Sequence, residues 1–292
     1  MSLRTALTLG GLIATAAAAA VRGSRSVRFG CGTGRPTEEL MKASRELQAE
    51  EWELAARDGG RRDNVGRIVV DTYVHVVAKD ETVRGGYISA ATVAKQIEVL
   101  RQTYSPVGVS FVHKDTSWTV DPSWAVDNNE EDMKRTLRRG TYRDLNLYLL
   151  KELSGPAGTL GYCNFPSSRA GPASRLFYLD GCNVHVGSVP GGPLAGFNLG
   201  KTATHEVGHW FGLMHTFEGD NCHGAGDHVD DTPAQASSSQ GCPVGRDSCP
   251  DDPGPDPIHN YMDYSSDPCY EQFTPGQINR IQRLWHKYRE NR

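Results

Sequence analysis

Residues 202–215 read T-A-T-H-E-V-G-H-W-F-G-L-M-H. His205 and His209 are spaced so that a helix would carry both imidazoles on one face, one turn apart. Two imidazoles so placed can grip one metal ion, and Glu206 beside them is set to act as a base on a water carried by that metal. Gly212 can take a left-handed conformation and end the helix, after which the chain turns back and offers His215 as a third nitrogen. Three histidines leave one tetrahedral position open on zinc, as a catalytic site requires. The short motif H-E-x-x-H is only a moderate signal. The longer H-E-x-x-H-x-x-G-x-x-H fixes too many positions to arise often by chance, which disfavours the rival account of a buried helix with hydrogen-bonded histidines.

The stretch from His205 to His215 resembles the metzincin superfamily of metallopeptidases, in which a methionine-containing turn lies beneath the metal. Asn260-Tyr261-Met262-Asp263-Tyr264 is similar to that turn, and with the nearby Cys269 it resembles the pappalysin (cytophagalysin) family, especially its short secreted fungal members. The likeness extends over most of the chain after about residue 67 and is strongest from Gly200 to Phe273. It implies an α+β fold: a twisted mixed sheet with a backing helix and an active-site helix above the cleft, and a loop-rich, disulfide-tied lower part ending in a helix. It further implies hydrolysis of protein or peptide substrates, with His205, His209 and His215 on one Zn2+ and Glu206 as general base and acid. Met262 becomes a packing base under the metal. Tyr264 becomes a residue that approaches the metal or the oxyanion, against the plainer role of a core tyrosine with a bonded hydroxyl. The L-G-Y-x-x-F-P stretch at 160–166 is similar to an upper edge strand beside the cleft, and an open edge can take a peptide as an extra strand. Asp230-Asp231-Thr232 resembles a loop that holds Ca2+ in some members, although acidic loops are commonly just solvated.

The elements that must position these residues can be read in order. Arg4, an apolar run over 6–20 and the small residues Ala18-Ala19-Ala20 look like a signal peptide over 1–20. A polar, charge-rich segment over 21–62 holds one predicted helix after Pro36, with Leu40, Leu47 and Leu54 on its apolar stripe. Gly59-Gly60-Arg61-Arg62 reads as a dibasic linker and processing site, which makes 21–62 a pro-segment and 63–292 the catalytic domain. Predicted strands cover 68–77, 107–113, 145–150, 158–165 and 183–189, with helices over 89–104 and 129–139. Residues 217–267 are rich in Gly, Pro, Asp and Ser and must be held by something if they lie inside a compact domain. Thr274-Pro275 opens an amphipathic helix carrying Ile278, Ile281, Leu284, Trp285 and Tyr288.

Seven cysteines suit an extracellular protein. Cys222, Cys242, Cys249 and Cys269 allow three pairings, and the family resemblance favours Cys222 with Cys249 and Cys242 with Cys269. Cys163 and Cys182 are then left for one another, and Cys31, in F-G-C-G-T, is odd. A thiolate from a pro-segment can occupy the open metal position, so Cys31 is a candidate zymogen switch; an intermolecular disulfide or an unpaired thiol is the alternative. The other histidines (His75, His113, His185, His223, His228, His259 and His286) lack ligand spacing and are expected on the surface or satisfied in the core, with His223 and His228 noted among acidic neighbours.

A net charge of −4 gives no reason to expect nucleic acid or an anionic membrane as partner, and the basic run 134–139 reads as a solvated helix face. No N-x-[ST] sequon is present. Residues 195–202, A-G-F-N-L-G-K-T, come within one residue of a phosphate-binding loop, so a nucleotide-binding protein is the rival from another class. Ala195 in the first position and the prolines before it favour a plain turn into the zinc helix, with Thr202 near its N-cap. A non-catalytic zincin used only for binding is the second rival, and the presence of Glu206 argues against it. The sequence leaves oligomeric state and cleavage preference open.

Overall fold

The computed structural model describes residues 28–58 and 66–292. The expected signal peptide and the dibasic linker at 59–62 lie outside the described residues. In chain order the elements are β1 (Gly30–Cys31), α1 (Glu38–Asp58), β2 (Ile68–Ala78), α2 (Ala90–Tyr104), β3 (Val109–Val120), α3 (Glu130–Leu137), β4 (Leu145–Leu150), β5 (Thr159–Cys163), α4 (Arg175–Leu179), β6 (Cys182–His185), α5 (Lys201–Phe211) and α6 (Pro275–Tyr288).

The strands form one six-stranded sheet in the order β1-β5-β6-β4-β2-β3. Every neighbouring pair is parallel except β5 with β6, so the sheet is mixed. β4 is apolar at nearly every position because both its faces are covered, as interior parallel strands require. Its alternate residues divide accordingly: Leu145, Leu147 and Leu149 face the core shared with α2 and α5, while Tyr148 and Leu150 face Met133 and Leu137 of α3. The α+β architecture expected from the sequence is therefore present, with α2 and α5 packed side by side on one face. No helix among the described residues is long and apolar enough to cross a membrane.

Several boundaries differ from the sequence reading. β3 runs on to Val120, and a short 3-10 turn precedes it at Ser105–Val107. The strand expected over 183–189 ends at His185 and passes into another 3-10 turn. Two elements were not expected at all, α4 and the two-residue β1. In α1 the buried stripe is Leu40, Ala43 and Leu47, whereas Leu54 is 46% exposed.

The irregular stretch 217–267 is held by the two bridges the resemblance implied, Cys222–Cys249 and Cys242–Cys269; the third bridge, Cys163–Cys182, joins directly paired positions of β5 and β6. α6 opens with a capping box between Thr274 and Gln277 and packs Trp285 against Trp210 and Phe211 of α5. A buried ion network ties this end together: Asp180 accepts from Arg289, Arg138 and the Trp210 indole. Burial works to raise the Asp180 pKa, yet the two guanidiniums hold it below its ordinary value.

Candidate metal centre

α5 supplies the first pair of nitrogens. His205 and His209 are fully buried on it, and their Nε2 atoms lie 3.1 Å apart. Gly212, with φ of 102°, closes the helix and returns its N–H to Gly208 and His209 carbonyls. The chain then brings His215 Nε2 to 3.1 Å from His209 Nε2. On the far side of two rings the Nδ1 atoms are spoken for: His205 Nδ1 meets the Tyr261 carbonyl at 2.7 Å and His209 Nδ1 meets the Leu213 carbonyl at 2.8 Å. A carbonyl can only accept, so Nδ1 carries the proton and Nε2 is a bare lone pair.

That arrangement tests whether a cation fits. Bare nitrogens 3.1 Å apart repel one another unless a positive ion lies between them. Tetrahedral zinc with Zn–N distances near 2.0–2.1 Å would separate its nitrogens by roughly 3.3 Å. Burial holds all three imidazoles in the neutral form, His215 down to about 3, and neutral imidazole is the form that ligates. The donor set therefore suits a transition ion of the zinc type.

The floor beneath it comes from the 260–264 turn. Gly208 is where α5 must lack a side chain, since a Cβ there would lie 2.4 Å from Met262 Sδ. Asn260 fixes the turn by accepting from the Met262 N–H and exchanging two hydrogen bonds with Gln277 at the start of α6. Gln235 and Ser239, from the irregular stretch, both donate to Asp263. Tyr264 Oη lies 3.2 Å from His215 Nε2, and its ring lies against Phe217 and His215.

Glu206 is fully buried and faces β5, with Oε1 unpartnered. Burial raises its pKa to about 8, against hydrogen bonds from Cys31 and Thr33 that favour the carboxylate. These two residues belong to the N-terminal segment. Cys31 Sγ donates to Glu206 Oε2 at 3.5 Å, Thr33 Oγ1 donates to the same oxygen at 3.2 Å, and the Cys163 N–H donates to Thr33 Oγ1. The Cys31 sulfur and one ring nitrogen from each of His205, His209 and His215 all lie within 4.8 Å of one another. β1 runs parallel to β5 along its edge, and the Gly32 N–H reaches the Gly161 carbonyl at 2.8 Å. The edge that sequence reasoning left open to a peptide is thus occupied by the chain itself. Thr33 and Phe29 were missed in the sequence. Their signal was the alternation Phe29-Gly30-Cys31-Gly32-Thr33, which sends every second residue to one face of a strand.

α1 anchors the same segment a second time. Leu40, Ala43 and Leu47 pack against Met214, Leu284 and Tyr288. Glu39 accepts from Ser167 and Ser168, Glu51 accepts from Asn279 and Arg280, and Gln48 and Trp52 both donate to Asp230.

Other candidates resolve differently. In the calcium-like loop, Asp230 faces α1 and Asp231 accepts from the Gly276 N–H, so the two carboxylates serve separate partners. Thr202 lies near the N-cap of α5 as expected, within its first turn, and Gly200, with φ of 85°, holds the N-cap position itself. Asp267 accepts from the Leu199 and Lys201 N–H groups there, so a carboxylate of the protein stands where a bound phosphate would have to sit, and Lys201 Nζ is engaged by the Tyr270 carbonyl. This removes the physical basis for the nucleotide reading. His75 is a satisfied core histidine between Ser117 and Asn146, burial lowering it to about 4.

Residues 140–285 match a peptidase family model described as pregnancy-associated plasma protein-A. An extracellular metalloprotease of Pyricularia oryzae is 52% identical over 278 residues, covering 95% of this chain and 96% of that relative. Among solved structures, a promirolysin mutant of Tannerella forsythia aligns with a TM-score of 0.66 at 25% identity, covering 87% of this chain and 93% of its own. Mature mirolysin of the same organism, in complex with a cleaved peptide, aligns with a TM-score of 0.64 at 26% identity over 75% of this chain and 92% of its own.

Proposed function

Because this chain belongs to the pregnancy-associated plasma protein-A family of metalloproteases, the pappalysins, we propose that it is an extracellular, latent zinc endopeptidase that cleaves peptide bonds by water attack. The observation that carries the reading is the trio of bare Nε2 atoms of His205, His209 and His215 beside the buried carboxylate of Glu206. When bound there, zinc supplies Lewis acidity and makes hydroxide available near neutral pH.

The chain's own groups do the rest. Glu206 takes the proton from the attacking water and passes it to the leaving amine. Its buried setting raises its basicity, which suits a group that must accept and then release a proton near neutral pH. Tyr264 donates to the oxygen that gains charge, a role supported by its Oη lying 3.2 Å from His215 Nε2. The edge of β5 binds an extended peptide by main-chain hydrogen bonds, and peptide occupancy of the related mirolysin supports that class of substrate.

Latency follows from residues 21–62 acting as a pro-segment. Cys31 would ligate the metal as thiolate and Thr33 would hold the base, so both halves of the machinery are covered at once. The larger share of this chain matched by promirolysin than by mature mirolysin supports that assignment. Calcium in the 230–232 loop is an optional addition that the catalytic reading does not need.

The test is metal analysis and proteolysis on matured protein. One zinc per chain is expected, with caseinolysis abolished by chelation and lowered at least ~100-fold by Glu206→Ala. Hydrolysis that survives either change sinks the mechanism.

A further inference from the structure

Arg280, Arg283 and Lys287 are spaced so that α6 carries all three on one face, and that face meets α1. Their partners are Glu51, Glu50 and Glu46, with Arg280 to Glu51 at 3.3 Å and Lys287 to Glu46 at 4.0 Å. The partner's number falls as the α6 number rises, so the two helices run antiparallel with acids and bases in step. Beside this ladder lies an apolar floor, where Met214, Leu284 and Tyr288 take Leu40, Ala43 and Leu47.

The groove is joined to the metal centre. Phe165, packed at the edge of the floor, sets its ring 5.3 Å from that of His209, and Met214 immediately precedes His215. Residues 32–37 alone carry the chain from Cys31, beside the histidines, to the first turn of α1. One of the bases is also fixed in place before any acid arrives. Arg280 is 1% exposed and donates to the His228 carbonyl at 2.6 Å, so little side-chain freedom is lost when a carboxylate meets it.

We infer that on the matured enzyme this groove is an exosite for protein substrates: it takes an acidic amphipathic helix and so delivers the extended segment next to that helix to the metal centre. The inference rests on the peptidase and pro-segment readings above. The chemistry selected is that of α1, apolar residues at helical steps with Glu or Asp flanking them. The apolar floor supplies affinity, while a helix flanked by Lys or Arg would set like charges opposite three fixed bases and is turned away. Holding the helix raises the local concentration of the segment to be cut, a gain that appears in KM rather than kcat.

The experiment uses the full chain matured until residues 28–58 are gone, and fluorogenic substrates that share one cleavable extended segment. One is the bare segment; the others carry an acidic amphipathic helix, or the same helix with Lys in place of Glu, joined by a flexible spacer before or after the segment. In one of the two placements the acidic helix should lower KM at least about tenfold with kcat unchanged, and the Lys helix should give no gain. Arg283→Glu with Lys287→Glu, both at the open edge of the groove, should shrink the advantage of the acidic over the Lys helix at least about tenfold while the bare segment is cut as before. Equal KM for all substrates, or an advantage unmoved by the double charge reversal, overturns the inference while the bare segment is still hydrolysed. So does a fully active chain that keeps residues 28–58. Absence of chelator-sensitive hydrolysis of the bare segment would overturn the peptidase reading together with it.

Discussion

The docking of α1 yields a prediction whose size can be worked out. Leu40 is fully buried between α6 and the turn that follows α5, among Met214, Leu284 and Tyr288. Truncating such a leucine to alanine costs about 2–5 kcal/mol. The groove on a mature enzyme can admit water once the helix leaves, so the lower half of that range applies, about 2–3 kcal/mol. At 1.4 kcal/mol per decade, this is a loss of roughly 30- to 150-fold in affinity. Alanine is at least as good a helix former as leucine, so the loss reports packing rather than helicity. Glu50 offers the control. Its ion pair with Arg283 is half open to solvent, and such pairs contribute about 0–1 kcal/mol, less than about fivefold. The assay is inhibition of peptide hydrolysis by matured enzyme, using added peptides that span residues 28–58. The wild-type peptide should inhibit in trans, Leu40→Ala should inhibit about 30- to 150-fold more weakly, and Glu50→Ala should be nearly unchanged. If Leu40→Ala matches wild type, or Glu50→Ala is the weaker of the two, α1 is not held by its apolar stripe.

Three other outcomes are expected. In the uncleaved chain, Cys31→Ala should release chelator-sensitive activity before any cut at 61–62, and Cys31→Ala with Thr33→Val should release more, because Thr33 still donates to Glu206 in the single variant; unchanged latency in both would count against the switch. Asp180→Asn removes the carboxylate between buried Arg138 and Arg289 and should lower stability by about 3–5 kcal/mol, read as a fall in denaturant midpoint. The Asp180 pKa is depressed in the fold, so its contribution is present above the ordinary carboxylate range and is lost as pH falls through the folded value. Asp227 is the opposite case: burial raises it to about 7, so stability is greatest below its unfolded pKa and declines as pH rises from about 4 towards 7. Asp227→Asn should flatten that slope in thermal melts taken across the range, and an unaltered slope refutes the assignment.

Local residue patterns made the metal centre legible, because His205, Glu206 and His209 need only one helical face and Gly212 only one backbone conformation. Met262 and Tyr264 were reachable through family resemblance, since their distance in sequence hides the contact with Gly208 and His215. What stayed hidden has physical reasons. The alternation around β1 says which residues share a face but not where they go, since the destination of Cys31 depends on an edge more than a hundred residues away. The second half of β3 is mostly polar and only half-buried, so it lacks the apolar alternation by which strands are recognised. Leu54 shares the helical face of Leu40, Ala43 and Leu47 but sits about 21 Å along α1 from Leu40, and the cluster with Met214, Leu284 and Tyr288 takes up only the first half of the helix. Asp267 looked like one acid in a loop, yet it accepts from the Leu199 and Lys201 N–H groups and so takes the seat an anion would need at the start of α5.

The pairing of β1 with β5 also bears on solubility. A strand ending a sheet presents unsatisfied amides and carbonyls that invite pairing with any similar strand, including one from a second molecule. An enzyme built to seize extended chains needs such a rim, which makes it sticky by design of its own chemistry. While β1 sits there, the rim is closed on this side and newly made chains have less occasion to stitch together sheet to sheet. On the proposed reading, the short strand is a sheath as well as a lock, and the rim is uncovered when the pro-segment is cut away.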